Sequence, residues 1–351
     1  MGGRRRASLN IGLGLIVSAV CLWLALRDAP IAQLGGALAQ AEYGWVSLAV
    51  LFNVFTLWGR GCRWRILLTN RGTRQEYFWA QCIGSMLTNI FPLRAGEAGR
   101  VVVISRRVGL PLVQVGASLV VERALDMAVL LTLLAVLLMV MDVPWGVAVT
   151  GMALGGAVAV AWAGVAVLLV FRERLTGIVE LLAVRLPDRI ARLVRLVWSG
   201  VLTALEPLRS VGVVARVVGW SLLIWSAGIG TFWVAIEAVK PGGSLLEASF
   251  ALTSVAFGVA LPSSPGFIGV FQYVGQQALV TPFPHRYDDV TALAIVMLNH
   301  AAFYIPNTLL GLVGLARLGL SLRSVRQPDA VEAPDPVPDA ELRSPAPAAD
   351  A

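Results

Sequence analysis

The sequence predicts an all-α polytopic membrane protein with about six full transmembrane helices and two re-entrant helical hairpins, arranged as inverted pseudo-repeats. Three observations predict this fold class. The 351 residues are 57% hydrophobic and only 14% charged, whereas soluble domains are about 45–50% apolar and about 25% charged. Long apolar runs recur along the chain, and the basic residues concentrate in alternate connections between those runs.

Six apolar runs predict the full spans. They are Ile11–Leu26, Trp45–Trp58, Ala124–Met141, Trp145–Phe171, Val217–Val239 and Val290–Leu315. Most of them approach the roughly 20 residues that cross a bilayer. The first run follows three arginines and precedes a small-residue tripeptide, Ala37–Ala39, that resembles a signal-peptide cleavage site. Because the tripeptide lies well beyond the end of the apolar run, we expect the first helix to remain uncleaved.

The distribution of basic residues predicts the orientation. All but one of the 28 basic residues are arginine. They cluster at 4–6, 60–74, 94–107, 172–216 and 317–326, whereas the connections at 27–43, 142–144, 239–247 and 281–289 hold only Arg27, Lys240 and Arg286. This alternation follows the positive-inside rule. It predicts a multi-pass protein of the inner (plasma) membrane with both termini cytoplasmic, and it accounts for the net charge of +7 without a nucleic-acid partner.

Two proline- and glycine-rich breaks predict the hairpins. The first break lies within "NIFPLRAGEAGR" (89–100), between half-helices at 77–93 and 97–108, and both ends of this segment fall on the cytoplasmic side. The second is "PSSPGFIG" (262–269), between half-helices at 246–261 and 269–281, and it enters from the opposite face. Irregular backbone at membrane depth needs protein or water around it. We therefore expect the two breaks to meet beside a cavity, as in many secondary transporters; two ordinary proline-kinked helices are the alternative.

The residues at the breaks are suited to binding an anion. The N-terminus of a half-helix presents unpaired N–H groups and the positive end of the helix dipole. Gly266 and Gly269 allow the backbone to approach a ligand closely. The guanidinium groups of Arg94 and Arg100 match the geometry of phosphate. Glu97 is expected to pair with one of these arginines.

A second group of charges follows in "VVERALDMAV" (120–129), at the start of an apolar run. Glu122 and Asp126 are four residues apart and share one helix face, and Arg123 lies within reach of Asp126. Ionisable residues inside a span usually have a function, so all three are candidate ligand-binding residues. The alternatives are a structural ion-pair network and an interfacial helix end.

Histidine content bears on catalysis and proton coupling. The chain has two histidines, His285 and His300, and neither belongs to an HExxH motif. The sequence also lacks a clustered acidic metal triad and a glycine-rich nucleotide loop, so we predict no cofactor and no enzyme activity. His300 lies in the last predicted span. It is either a proton-coupling group or a lone histidine bonded to a neighbouring helix.

Four motifs in a fixed order resemble a known family. They are "RWRILL" (63–68), "NIFPLRAGEAGR" (89–100), "ERALD" (122–126) and "LPSSPGFIGVFQ" (261–272). Over about residues 10–318 the chain resembles the flippase-like family, the transmembrane region of lysylphosphatidylglycerol synthase and its stand-alone relatives. The resemblance implies a protein that moves an anionic or aminoacylated lipid between leaflets. By motif match it implies functional roles for Arg94, Glu97, Arg100, Glu122, Arg123, Asp126, Pro265 and Gly266.

These observations together predict the organisation of the chain. We expect a cytoplasmic N-terminus at 1–9, a transmembrane flippase-like domain at 10–318 with cytoplasmic amphipathic helices at 172–216, and a disordered cytoplasmic tail at 319–351. We expect no counterpart of the soluble aminoacyl-transfer domain of the full synthase. The expected partners are membrane phospholipids or a lipid-linked anionic substrate. The alternative function is a non-catalytic membrane partner of a lipid-modifying enzyme or glycosyltransferase.

Overall fold

A computed structural model of the chain describes residues 2–92, 95–141, 171–260 and 263–322, with a few single positions between 156 and 167. Throughout these ranges the regular structure is helical, which confirms the all-α prediction. The helices are α1 (Gly2–Arg27), α2 (Ile31–Ala39), α3 (Tyr43–Leu67), α4 (Arg74–Ile90), α5 (Ala95–Val108), α6 (Leu112–Val140), α7 (Arg172–Ala183), α8 (Asp188–Leu205), α9 (Val211–Val239), α10 (Leu245–Gly258), α11 (Val270–Val280) and α12 (Asp289–Arg317). Short 3₁₀ turns lie at Glu206–Arg209 and Pro265–Phe267.

Several of these helices are long and apolar enough to cross a membrane. Within the described ranges they are α3, α6, α9 and α12. A fifth candidate is the pair formed by 12–27 of α1 and by α2, which is bent by 82° between its halves. Most of the predicted span Trp145–Phe171, the connection at 142–144 and residues 323–351 of the predicted tail lie outside the described residues. A multi-pass membrane protein is therefore confirmed, with four or five candidate spans in the described part of the chain.

Two helix boundaries differ from the prediction. Helix α6 begins at Leu112, directly after Pro111, so the "ERALD" motif lies inside a long helix and not at its start. Helix α9 begins at Val211, because Ser210, which follows the 3₁₀ turn, has an extended conformation. The predicted amphipathic segment 172–216 is therefore made of α7, α8, this turn and the first residues of α9.

Each break separates two short helices, α4 from α5 and α10 from α11. The first helix of each pair begins with the same capping box. Thr73 and Glu76 bond each other's backbone N–H groups at the start of α4, and Ser244 and Glu247 do so at the start of α10. This arrangement satisfies N–H groups that a helix start otherwise leaves unpaired. The same capping box at the start of the first helix of each pair supports the prediction that the two halves of the chain are related.

Glycines bring the helices around the breaks into close contact. A side chain on Gly96 of α5 would collide with the Gly84 carbonyl oxygen of α4. A side chain on Gly311 of α12 would collide with Met86 of α4. Small residues at helix interfaces let backbones approach in this way in membrane proteins. The first hairpin is therefore packed tightly, both within itself and against α12.

Helices α7 and α8 carry an apolar surface that no described residue covers. Its exposed members include Leu181, Leu182, Leu193, Leu196 and Val197. On its other side α8 packs against α6, where Gly200 lies close to Val113 and Ala117. An amphipathic helix with arginines on its polar face is suited to the membrane interface, which is the position predicted for this segment.

Candidate functional site

A cavity of about 400 Å³ lies between the two hairpins and helices α3, α6, α9 and α12. One part of its lining is charged or polar, and includes Arg60, Gln81, Glu97, Arg100, Arg123 and Asp126. Another part is apolar, and includes Met127, Leu130, Trp225, Leu252, Val255 and Phe271. A cavity with one ionic and one hydrocarbon surface matches the two chemistries of a lipid.

The two breaks meet across α12. Asn89, near the end of α4, donates from Nδ2 to the Tyr304 carbonyl oxygen at 3.2 Å and to Thr308 Oγ1 at 3.0 Å. Gly266, in the second break, has φ of +66°, and a side chain there would collide with the Tyr304 ring. Such a Cβ would also lie 3.4 Å from the Asn89 carbonyl oxygen. The expected approach of the two breaks is therefore observed at these residues.

Glu122 is the centre of a buried ion cluster. Its Oε1 atom lies 2.8 Å from Arg123 Nη2, 3.1 Å from Arg100 Nη2 and 3.7 Å from Arg63 Nη2. The side chains of Glu122 and Arg63 are 0% exposed. A buried charge is tolerated only with partners of opposite sign. One carboxylate therefore holds three helices together, because its arginines come from α3, α5 and α6.

Asp126 joins the same cluster one helix turn later. Its carboxylate lies 2.7 Å from Arg63 Nη1, 3.3 Å from Arg60 Nη1 and 3.7 Å from Arg123 Nη1. Glu97 contributes a looser contact, with its Oε1 atom 3.7 Å from Arg123 Nε. Among the described residues, the cation nearest to Glu97 is Arg123 of the neighbouring helix α6, whereas Arg94, one of the two arginines expected to pair with Glu97, lies outside the described residues.

In the part of the chain that the structure describes, the cluster holds one more positive charge than negative. Its four arginines are Arg60, Arg63, Arg100 and Arg123, and its three carboxylates are Glu97, Glu122 and Asp126. The side chains of Arg60 and Arg123 are 24% and 39% exposed and line the cavity. Arg123 Nε makes no hydrogen bond within the described structure. The excess charge and the free donor make this end of the cavity suited to an anion.

Arg100 is held in place by neutral neighbours as well. Its Nη1 atom donates to Gln81 Oε1 at 2.7 Å. Its guanidinium lies 4.9 Å from the centre of the Trp64 ring, a cation–π contact. Trp64 in turn donates from Nε1 to Ser118 Oγ at 2.9 Å. The orientation of Arg100 is therefore set by α3, α4 and α6 before any ligand is present.

The second hairpin is organised around His300. Gly269 N–H donates to Gln272 Oε1 at 2.7 Å, and Gln272 Nε2 lies 2.8 Å from His300 Nδ1. His300 Nε2 lies 3.0 Å from the Gly266 carbonyl oxygen. A carbonyl only accepts, so Nε2 carries the proton and Nδ1 accepts from Gln272. The ring bonds a neighbouring hairpin in this arrangement, and a role in proton coupling stays a prediction.

The structure brings together most of the predicted residues, in two groups. Glu97, Arg100, Glu122, Arg123 and Asp126 form the ion cluster. Pro265, Gly266 and Gly269 lie in the second break, next to His300 of α12, and a side chain on Gly269 would collide with the Ser18 carbonyl oxygen of α1. The glycines of this break therefore face neighbouring helices, and the N–H of Gly269 is already bonded. Arg94 lies outside the described residues.

Two residues of the cluster, Arg60 and Arg63, were missed as candidate ligands. Both lie in the basic segment after the second apolar run, which was interpreted only as an orientation signal. The available signal was their spacing of three residues, which places both on one face of α3. Both also lie closer to the apolar run than Arg71 and Arg74 do, and Arg63 opens the "RWRILL" motif.

Comparisons with known proteins support a membrane protein of the family that the motifs resemble. The family model of the lysylphosphatidylglycerol synthase TM region matches residues 11–311. The chain is 27% identical over 364 aligned residues to a protein named glycosyltransferase AglD from Haloferax volcanii. This alignment covers 93% of the chain and 57% of the relative, so the chain spans little more than half the length of that protein. No solved structure matches the chain.

Proposed function

The chain belongs to the family of the lysylphosphatidylglycerol synthase transmembrane region, and on this premise we propose that it is a lipid translocase. It moves an anionic or aminoacylated phospholipid, or a lipid-linked headgroup, between the leaflets of the inner membrane. The observation that carries the proposal is the cavity between the hairpins, which has a cluster with excess positive charge at one end and apolar side chains at the other.

The headgroup phosphate binds at Arg123 and Arg60. Both side chains line the cavity; Arg60 contacts Asp126 at 3.3 Å, and Arg123 Nε has no hydrogen-bond partner among the described residues. Arg123 keeps its strong contact with Glu122 at 2.8 Å, whereas its contacts with Glu97 and Asp126 are both 3.7 Å long. A phosphate oxygen that bonds Arg123 Nε therefore replaces only weak contacts within the cluster. The first turn of α5 also lines the cavity, at Gly96 and Glu97, and the positive end of its helix dipole favours an anion there.

The acyl chains remain in contact with the apolar wall while the headgroup crosses. Apolar side chains from α6, α9 and α10 form that wall, including Met127, Trp225 and Leu252. A charged headgroup in hydrocarbon is costly, and the cluster replaces the water that the headgroup loses. Translocation of this kind needs no covalent step. We propose accordingly that the protein has no enzyme activity and no cofactor, and that its partners are membrane lipids.

The proposal includes a topology of the chain in the membrane. It has six full spans, two hairpins that enter from opposite faces, and both termini in the cytoplasm. The arginine distribution and the matching capping boxes of α4 and α10 support it. In this arrangement α7 and α8 lie on the cytoplasmic leaflet with their exposed leucines in the interface.

Reconstitution tests the proposed function. The purified protein is inserted into liposomes whose outer leaflet carries a fluorescent phosphatidylglycerol, and a membrane-impermeant quencher reports the fraction that remains outside. We expect the inner fraction to rise faster than in protein-free liposomes. Equal rates with and without the protein, at several protein densities and with the fold intact by circular dichroism, would reject the translocase.

A partner role is the second candidate, because the chain aligns with part of a protein that is named a glycosyltransferase. In that case the protein presents a lipid to a membrane enzyme. Purification from native membranes in mild detergent tests this directly. Stoichiometric recovery of one lipid-modifying enzyme, together with no lipid movement in liposomes, would favour the partner role over translocation.

A further inference from the structure

Among the described residues, each carboxylate at the charged end of the cavity already has an arginine beside it, so this end has no place for a cation. Of the carboxylates in the cluster, only Glu97 and Asp126 line the cavity. Asp126 is shared by Arg60 and Arg63, and Glu97 lies beside Arg123. An ammonium group bound to either carboxylate would therefore lie next to a guanidinium and be repelled by it. The site suits a phosphate, but it does not suit a headgroup that also carries an amine.

Neutral amides extend the lining beyond the arginines. Gln81 and Asn307 both line the cavity and are 4% and 0% exposed. Gln81 uses Oε1 for Arg100, and Asn307 uses Oδ1 to accept from Asn53 Nδ2 at 2.8 Å. The NH₂ group of each amide has no partner among the described residues. Buried donors are costly when unpaired, so the cavity offers two donors that a ligand can satisfy.

Hydroxyl groups next to these amides offer acceptors. Thr56 Oγ1 donates to the Phe52 carbonyl oxygen at 3.0 Å, and Thr88 Oγ1 donates to the Gly84 carbonyl oxygen at 3.0 Å. Both hydroxyls line the cavity, and each keeps lone pairs that accept. A lining with both unpaired donors and acceptors is complementary to groups that donate and accept at once. Among common headgroup substituents, alcohol hydroxyls have that property, whereas an ammonium group only donates.

We infer that the cavity selects a phosphodiester lipid whose headgroup is a neutral polyol, such as glycerol, over an aminoacylated lipid. The inference rests on the proposed function for its choice of a lipid, and it narrows the substrate class. The phosphate binds at Arg60 and Arg123, the headgroup hydroxyls bind at Gln81 and Asn307, and the acyl chains lie against the apolar wall. Selectivity is a property of binding and can be measured separately from movement between leaflets.

Binding to the full-length protein in detergent tests the inference. Short-chain forms of phosphatidylglycerol, phosphatidylmethanol and lysyl-phosphatidylglycerol are titrated, with glycerol 3-phosphate as a soluble competitor. Phosphatidylmethanol keeps the charge and lacks the hydroxyls. We expect phosphatidylglycerol to bind about tenfold more tightly than phosphatidylmethanol, which corresponds to about 1.4 kcal/mol, and more tightly than the lysyl lipid. We expect the soluble phosphate to compete poorly, because it has no acyl chains.

A variant localises the selectivity. Asn307→Leu should weaken the binding of phosphatidylglycerol to the affinity of phosphatidylmethanol. It should leave the affinity for phosphatidylmethanol unchanged. The matched control is Gln276→Leu, which removes a buried amide outside the cavity lining and should keep the preference. If Asn307→Leu does not fold, the comparison of the lipids on the wild-type protein still tests the inference. Equal binding of phosphatidylglycerol and phosphatidylmethanol, or tighter binding of the lysyl lipid, would overturn the inference. Selective binding without movement in liposomes would support it and reject the translocase.

Discussion

Replacing Asp126 by asparagine should destabilise the protein far more than replacing Glu97 by glutamine. Both changes remove one negative charge from the same cluster and keep the side-chain size. Asp126 lies 2.7 Å from Arg63 Nη1, and the Arg63 side chain is 0% exposed. Breaking a buried pair leaves an uncompensated charge and costs about 3–5 kcal/mol.

Glu97 is in a different position. Its side chain is 35% exposed, and its one ion-pair contact in the described structure is the 3.7 Å approach to Arg123, which is itself partly exposed. Exposed pairs of this kind contribute about 0–1 kcal/mol. Glu97→Gln should therefore cost less than about 1 kcal/mol, and the two variants should differ by at least about 2 kcal/mol.

Unfolding in mixed detergent micelles measures the difference. The loss of helical circular dichroism is followed as denaturing detergent is added, for the wild-type protein and for both variants at matched lipid content. The predicted order is wild type, then Glu97→Gln close to it, then Asp126→Asn far below. Equal destabilisation by the two changes would refute the assignment of Asp126 as the partner of a buried arginine, and so would a neutral Asp126→Asn.

Three further predictions concern the second hairpin, the connection at 281–289 and the orientation of the chain in the membrane. Gly266→Ala should lower stability by more than about 1 kcal/mol, because its φ is positive and the new Cβ collides with Tyr304, whereas Gly219→Ala, with no atom nearby, should be neutral or stabilising in the same assay. The pKa of Tyr287 is raised above its ordinary value by burial and by its hydrogen bond to Glu247, so the folded state holds that proton more tightly. The resulting stability should be present below about pH 10 and fall as pH rises beyond it, and Tyr287→Phe should flatten this fall; an unchanged alkaline profile would contradict the assignment. A reporter fused to the C-terminus should be active only on the cytoplasmic side, and periplasmic activity would reject the topology.

The helices and the two breaks could be predicted from the sequence, because they depend on local features. Apolar runs, proline–glycine clusters and the alternation of arginine are visible without knowing which helices touch. Even so, α6 began earlier than predicted, since Leu112–Val121 is helix-compatible but was not counted as part of the apolar run. Its start after Pro111 was the local signal available.

The contacts within the site were harder to predict, because they depend on which helices are neighbours. Arg63 is separated from Asp126 by 63 positions in the sequence, and only the packing of α3 against α6 joins them. The same holds for Gly269, whose close neighbour is Ser18 of α1. Gly269 was interpreted as a position where the backbone could approach a ligand closely, but the space beside it is occupied by α1.

Lipid movement by an Arg123→Lys variant tests the central claim most directly. Lysine keeps the charge but loses the planar fork that bonds a phosphate at two points. In liposomes with a labelled phosphatidylglycerol, the variant should move lipid at least about tenfold more slowly than the wild type, since one hydrogen bond to a charged group contributes about 1.5–3 kcal/mol. Its stability in detergent should stay within about 1 kcal/mol of the wild type, because lysine keeps the positive charge beside the buried Glu122 and position 123 is itself 39% exposed. Wild-type rates in Arg123→Lys, and also in Arg60→Lys, would contradict the claim that these arginines hold the lipid phosphate.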